Sequence, residues 1–321
     1  MTSHDASAND AVTIRPLAGP HELDLFLRLS YVLDHELADD LAAGRRRPEW
    51  MWLALRGEQV LARIAWWASA DSDAPQSLDF FDVDDALPGP ERADVARRLL
   101  ETAAAQVVPA GTTPPEYGRF VPPDWREDPA AREVVETRTN AIEAGGGRLL
   151  VERLRLEWRP GTPLAEPTNR LVFRQVRDRE DLLVLMEQVV SGSLDAHTVS
   201  EQESGYSARR SAEEHYDEEL GLFTSPREWW RIAELPGTGE PVGFVVPARN
   251  NYNPIIAYLG VVPAHRGHGY IDDILAEGTR ILAAEDVPRI RAATDLGNVP
   301  MAKAFARAGY VNFERALNYV W

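Results

Sequence analysis

Val261-Val262-Pro263-Ala264-His265-Arg266-Gly267-His268-Gly269-Tyr270 is the stretch on which the reading of this chain turns. The apolar run that leads into it, Ile255 to Val262, reads as a buried strand. Pro263 ends the strand, because proline has no backbone donor to continue a ladder. A basic, glycine-containing turn follows, and then Ile271 to Leu282 carries the apolar spacing of an amphipathic helix. Strand, glycine-rich turn and helix together offer backbone N–H groups to an anion. The first donors of a helix have no internal partner, and the helix dipole favours negative charge there. Gly267 and Gly269 let the main chain approach a ligand that a side chain would hold off. Arg266 reads either as a phosphate contact or as a surface arginine in a turn, and the surrounding pattern favours the first reading.

Outward from this segment the chain repeats itself. Val12-Thr13-Ile14-Arg15-Pro16-Leu17 is echoed by Leu171-Val172-Phe173-Arg174-Gln175-Val176, and each run precedes a helix. Pro48 to Leu53 is echoed by Arg227 to Ile232. Each opens a hairpin, with turns at Arg56-Gly57-Glu58 and Leu235 to Gly239 and partner strands Gln59–Trp67 and Val242–Val246. Gly147 to Trp158 is echoed by Gly309 to Trp321. The echoes keep their order and lie roughly 160 to 180 residues apart, which suggests two copies of one unit. Each copy is expected to run strand, helix, polar stretch, hairpin, strand, helix, strand, helix, strand pair. The fold class is therefore α+β (an α/β mixed sheet), each unit a mixed, mostly antiparallel sheet flanked by helices. Pro160 to Asn169, with three prolines and a glycine, suits an exposed linker. The expected division is a frayed tail over 1–10, a first domain over 11–165 and a second over 166–321. In the first copy, the strand Ser77–Val83 leads into Asp84-Asp85-Ala86-Leu87-Pro88-Gly89. Carboxylates there would repel a phosphate, so only the second copy is expected to hold an anion.

Composition limits the partners. The 321 residues exceed one ordinary core, and the chain is 44% hydrophobic, as expected of a globular protein. No apolar run approaches the ~20 residues of a membrane span. There are no cysteines, which excludes disulfides and thiolate chemistry. A net charge of −17 argues against nucleic acid and against an anionic membrane surface. A cytoplasmic location is the default. Any anionic ligand must be held by a local cluster. His265 and His268 lack partners at metal-ligand spacing, so no metal site is expected.

At these residues the chain resembles the GNAT superfamily of N-acetyltransferases. The family signature Arg/Gln-x-x-Gly-x-Gly/Ala reads here Arg266-Gly267-His268-Gly269-Tyr270-Ile271, with isoleucine in the last position. A second family segment, Asn-x-x-Ala followed by Leu-Gly-Phe, is matched by Asn298 to Met301 and then Gly309-Tyr310. The resemblance is strong over 171–321 and weaker over 1–165. It implies two tandem GNAT-like units, the first degenerate and the second carrying an acetyl-CoA site. It also implies that the strand backbone at Leu259, Val261 and Val262 pairs with the pantetheine arm. Arg266, Gly267, His268, Gly269 and Tyr270 would wrap the diphosphate, and Asn298 would contact the arm; by its own chemistry Asn298 equally suits a helix cap. The implied reaction is direct attack of a primary amine of a small molecule on acetyl-CoA, with no metal and with the protein a monomer or homodimer. A non-catalytic acyl-CoA sensor is the alternative.

The catalytic groups are less defined. The family often has a glutamate on the strand before the loop, and Pro254 to Leu259 holds no carboxylate. Glu234 is a candidate base or a solvated turn acid. Tyr258 is a candidate base or an aromatic packed on the sheet. The family's tyrosine acid, seven residues beyond the asparagine, is replaced by Phe305, which leaves Tyr310 as a candidate donor or a core aromatic. The polar segment Ser191 to Ser225 would shape the acceptor pocket. Its helix, Ala208 to Leu220, reads mainly as a solvated charged face.

Overall fold

Apolar runs buried along nearly their whole length, ended by turns with glycine at positive φ such as Gly57, set the central strands of this protein. The computed structural model describes residues 11–321; the expected frayed tail, 1–10, lies outside the described residues. The first repeat runs β1 (Val12–Pro16), α1 (Leu23–Phe26), α2 (Leu37–Ala42), β2 (Met51–Arg56), β3 (Gln59–Trp67), β4 (Ser77–Val83), α3 (Gly89–Val107), β5 (Glu116–Val121), α4 (Pro129–Ala144) and β6 (Arg148–Trp158). The second runs β7 (Val172–Gln175), α5 (Arg179–Val190), α6 (Ala196–Glu203), α7 (Ala208–Glu218), β8 (Arg231–Glu234), β9 (Pro241–Arg249), β10 (Pro254–Val261), α8 (Tyr270–Ala283), β11 (Ile290–Asp295), α9 (Val299–Arg307) and β12 (Val311–Val320). The two lists correspond element for element, apart from one extra helix in the second. The expected closing strand pair is a single long strand in each repeat, because neither segment contains a turn signal. No helix among the described residues is long and apolar enough to cross a membrane.

The units divide within strands. One extends to Val151 and takes in Ala316–Trp321; the other is Glu152–Arg315. Each repeat therefore gives half of its last strand to the other unit. In the first unit the strand order is β1-β2-β3-β4-β5. Tyr319 and Asn318 of β12 join it, through the Tyr117 ring and Glu116. In the second unit the order is β7-β8-β9-β10-β11, and Arg153–Trp158 of β6 pair antiparallel with β11. The proline-rich stretch 160–169, expected to be an exposed linker, is laid along α8. Leu164 packs on the core, Ala165 accepts from Arg280 at 3.0 Å, and Thr168 donates to Asp273 at 2.6 Å.

In the second unit α8 covers one sheet face, its Ile274 and Leu275 buried in one cluster with Val245 of β9. Helices α5 and α7 cover the other, over Phe244, Val246 and Trp230. Close packing at two glycines holds β10 in place. A Cβ on Gly260 would meet Val189 of α5 at 2.7 Å, and one on Gly243 of β9 would meet the Gly260 carbonyl oxygen at 2.1 Å. Backbone cannot swing aside as a side chain can. Gly243→Ala should therefore lower stability by about 2 kcal/mol or more, as overpacking does. Urea unfolding measures this, and an unchanged midpoint would show that the β9–β10 contact is looser than described.

Candidate active site

Strand β10 is paired on one side only for most of its length. With β9 it is antiparallel, and Val262 N–H donates to Val242 at 2.9 Å beyond the strand end. Hydrogen-bonding direction alternates along a strand, so Leu259 and Val261 direct their N–H and C=O groups away from β9, toward β11. β11 runs parallel to β10 but pairs with it only at Ile255–Arg291. A bulge between Ile256 and Tyr258 shifts the register just where the strands part, and bulges bend the strand that carries them. The result is a slot whose wall is main chain.

The loop after β10 closes the end of this slot. Pro263–His265 form one 3₁₀ turn; Gly267 and Gly269 take φ of +83° and +73°, and Gly269 caps α8 without any side-chain bond. The first α8 amides are thus left for an external acceptor. The acidic first turn of α8 is neutralised. Asp272 pairs with Arg307 at 2.7 Å, and Asp273 pairs with Arg170. Arg170 also donates to the carbonyls of His268 at 3.1 Å and Gly269 at 3.2 Å. The sequence reading missed Arg170, which directly follows the stretch read as linker.

Arg266 does not extend toward an anion. Its guanidinium donates to the carbonyls of Val261 (3.1 Å), Val189 (2.9 Å), Ser191 (2.9 Å) and Gly192 (3.2 Å). The C-terminal carbonyls of α5 are unsatisfied within the helix, and a cation is the natural partner for them. Arg266 therefore pins α5 to β10, and the anion contact expected of it falls to the backbone. The exposed His268 ring stacks on Tyr270 at 5.7 Å, and His265 lies 3.0 Å from Glu240. Asn298 caps α9, accepting from Met301 N–H at 3.3 Å.

Of the three candidate catalytic residues, only Tyr258 lies on the slot strand. It follows the bulge on the α5–α7 face, 5.1 Å from the Phe244 ring and 4.5 Å from the His215 ring. Burial, with Asp195 and Glu201 nearby, pushes its phenol above the ordinary range, so it stays protonated. Glu234 stands on β8, where Arg174 Nε donates to it at 2.5 Å. Tyr310 is buried under α8, its hydroxyl 2.9 Å from that of Thr279 and its ring against the fully buried Phe305. Neither faces the slot. The end of β11 brings further charges. Asp295, 3% exposed, accepts from Ala196 N–H at 2.7 Å and pairs with Arg153 at 3.0 Å, and Asp195 caps α6 through Thr198 N–H.

The first unit fills the equivalent gap with its own side chains. β4 and β5 pair in parallel only at Ser77–Glu116 and Leu78–Tyr117. Beyond this, Arg119 donates to the Phe81 carbonyl at 3.0 Å and Arg138 to the Val83 carbonyl at 2.8 Å. Phe81 and Val83 correspond to Leu259 and Val261. The plug is neutralised. Arg119 and Arg63 both bond Asp82 at 3.0 Å, and Arg138 holds Asp85 through both carboxylate oxygens.

Residues 193–310 match the acetyltransferase (GNAT) family. The match falls within the C-terminal unit. Solved structures extend the likeness along the whole chain as fold alone. A GCN5-related N-acetyltransferase from Sphaerobacter thermophilus shares 13% identity, with 97% of this chain and 95% of that one covered and a TM-score of 0.61. A tandem GNAT protein from the clavulanic acid biosynthesis pathway shares 16%, with coverage of 97% and 98% and a TM-score of 0.52. A glucosamine N-acetyltransferase region of a fungal multi-domain β-N-acetylglucosaminidase shares 12%, covering 98% of this chain and 39% of that one, with a TM-score of 0.59. No curated protein matches the sequence. The tandem arrangement expected from the echoes is the arrangement found.

Two variants separate the two gaps. Arg119→Leu removes one partner from the buried Asp82 and should cost about 3 kcal/mol of stability, the lower end for breaking a buried pair. Its affinity for coenzyme A, read by titration calorimetry, should match the parent; a weakened affinity would mean the first unit also takes the ligand. Arg170→Ala exposes the loop to Asp273 and should weaken coenzyme A binding roughly tenfold at low salt, and less at high salt. Adding Asp273→Asn to Arg170→Ala should recover most of the loss. No recovery would show that Arg170 acts by shape and not by charge.

Proposed function

We propose that the C-terminal unit transfers an acetyl group from acetyl-CoA to a primary amine of a small molecule, by direct attack. What supports this reading is the contrast between two homologous gaps. The slot-facing carbonyls of Phe81 and Val83 are both capped by arginines, whereas only Val261 is so capped in the second unit. Leu259 keeps an N–H and a C=O directed into the slot, suited to an amide-bearing arm laid beside the strand. Backbone groups left without partners cost free energy, so such an arm gains by replacing water there.

The residues present fit the cosubstrate. Leu259 and Val261 would pair with the pantetheine arm. The amides from Gly267 to Tyr270 would take the diphosphate, helped by the dipole of α8 and by the neutralisation of Asp272 and Asp273. Asn298 keeps its Nδ2 as a donor toward the arm. Tyr258, held protonated, would donate a hydrogen bond to the leaving sulfur or the developing oxyanion. An amine held beside the thioester gains much of its rate from orientation alone. The acids around Tyr258, namely Asp195, Glu201 and Glu219, favour a cationic acceptor. The protein would act in the cytoplasm, as a monomer or homodimer.

Thiol release from acetyl-CoA with a broad panel of amines tests the reading. Turnover with at least one amine, saturating in acetyl-CoA, is expected. Tight coenzyme A binding with no turnover on any amine would instead favour a sensor, a reading that Phe305 in the place of the family's tyrosine also suits.

A further inference from the structure

We infer that His215, oriented by Glu219, is the base that takes the proton of the acceptor amine; the inference rests on the acyl-transfer reading above. His215 lies on α7, half-buried, with its ring centroid 4.5 Å from that of Tyr258 and the planes 42° apart. Its Nε2 is 3.4 Å from Glu219 Oε2, four residues on. A carboxylate on one ring nitrogen leaves the other to accept a proton. Tyr258 stands on β10 immediately past the bulge, beside the slot, and among the described residues its hydroxyl has no hydrogen-bond partner. A half-buried phenol without a partner, under a histidine, marks the place where a polar ligand completes the contacts.

The neighbouring carboxylates are otherwise engaged. Asp195 caps α6, Asp295 binds Arg153 and the Ala196 amide, and Glu234 is held by Arg174. Glu201 of α6 remains as the competing base. On the elements packed against α7, α5 also carries Glu180 and Glu187, both engaged by Arg209, Asp181, held by Arg174 and Arg177, and Arg179, which pairs with Asp217, while α6 also carries His197 and Glu203.

The step balances as follows. The acceptor ammonium gives one proton to His215, which passes it to solvent. The freed nitrogen pair forms the C–N bond to the thioester carbon, the C–S bond breaks, and the electron pair leaves on sulfur. The second proton lost by nitrogen ends on the thiolate, whose developing charge the Tyr258 hydroxyl meets with a hydrogen bond.

The test uses the full chain and the amine turned over fastest. His215→Gln should lower kcat/KM by about 100-fold or more, the scale of a lost general base, with coenzyme A affinity unchanged. Imidazole should partly restore His215→Ala. Glu219→Gln should lower kcat/KM by less than His215→Gln does, because the ring loses the carboxylate that orients it while the base remains. Glu201→Gln should raise KM for a cationic amine but keep kcat within about threefold of the parent. The inference is overturned if His215→Gln stays within about threefold of the parent, if the loss falls on Glu201→Gln instead, or if coenzyme A affinity falls in step with rate. A parent protein that turns over no amine would refute the acyl-transfer reading itself, a result distinct from these.

Discussion

The main-chain edge of β10 beyond Ile255 is the constraint on which the site depends. A strand edge inside a folded unit carries donors and acceptors that need partners, and leaving them bare costs about 1–3 kcal/mol per group. β11 supplies them only at Ile255, because the two strands diverge past the bulge. The protein answers this deficit in two ways. In the first unit Arg119 and Arg138 reach in from β5 and α4 and cap the carbonyls, with Asp82 and Asp85 neutralising them. In the second unit the gap is shaped and left for a ligand. The same backbone geometry is sealed by arginines in one copy and left open at Leu259 in the other.

Electrostatics at the loop follow from this division of labour. A chain of net charge −17 offers an anion no general attraction. The one arginine of the signature is spent on the carbonyls of α5 and Val261. The attraction must therefore come from the α8 amides and dipole, which short-range neutralisation by Arg170 and Arg307 leaves uncancelled. Arg170 does this while bound to the carbonyls of the loop itself, so it sets both the charge and the shape of the cradle.

What was legible in the sequence is what local chemistry decides. Pro263 and the glycines at 267 and 269 specify a strand end and a left-handed cap whatever surrounds them, and the loop was found there. The echoing hairpins were legible because apolar runs and turn residues are local too. The role of Arg266 was not, since its acceptors are the end of a helix distant in sequence. The plug in the first unit was illegible for the same reason: Arg119 and Arg138 are isolated residues in a strand and a helix, and only the fold aims them at β4. His215 was read as part of a solvated face because charges dominate α7, whose buried side is only Ser211 and Ala212 with Tyr216 beside them. Its spacing to Glu219 was visible, but Tyr258 beneath it was not. The division of β6 and β12 leaves no local trace, because both halves of each strand carry similar side chains.

That division also accounts for the retention of a first repeat without a slot of its own. β11 forms one wall of the slot in the second unit, and it diverges from β10, so its other edge must be held. Arg153 to Trp158 of β6 hold it through an antiparallel register from Ile290 to Asp295. The same strand contributes Arg153, which pairs with Asp295 at 3.0 Å and lies 3.7 Å from Asp195, fixing the point where α6 begins. Leu156 and Trp158 fill the core beneath α8. All of these residues precede the proline-rich stretch that reads as the domain joint. The outer edge of β11 and the start of α6 are thus held partly by the chain of the first repeat, whose own gap is closed by the arginine plug.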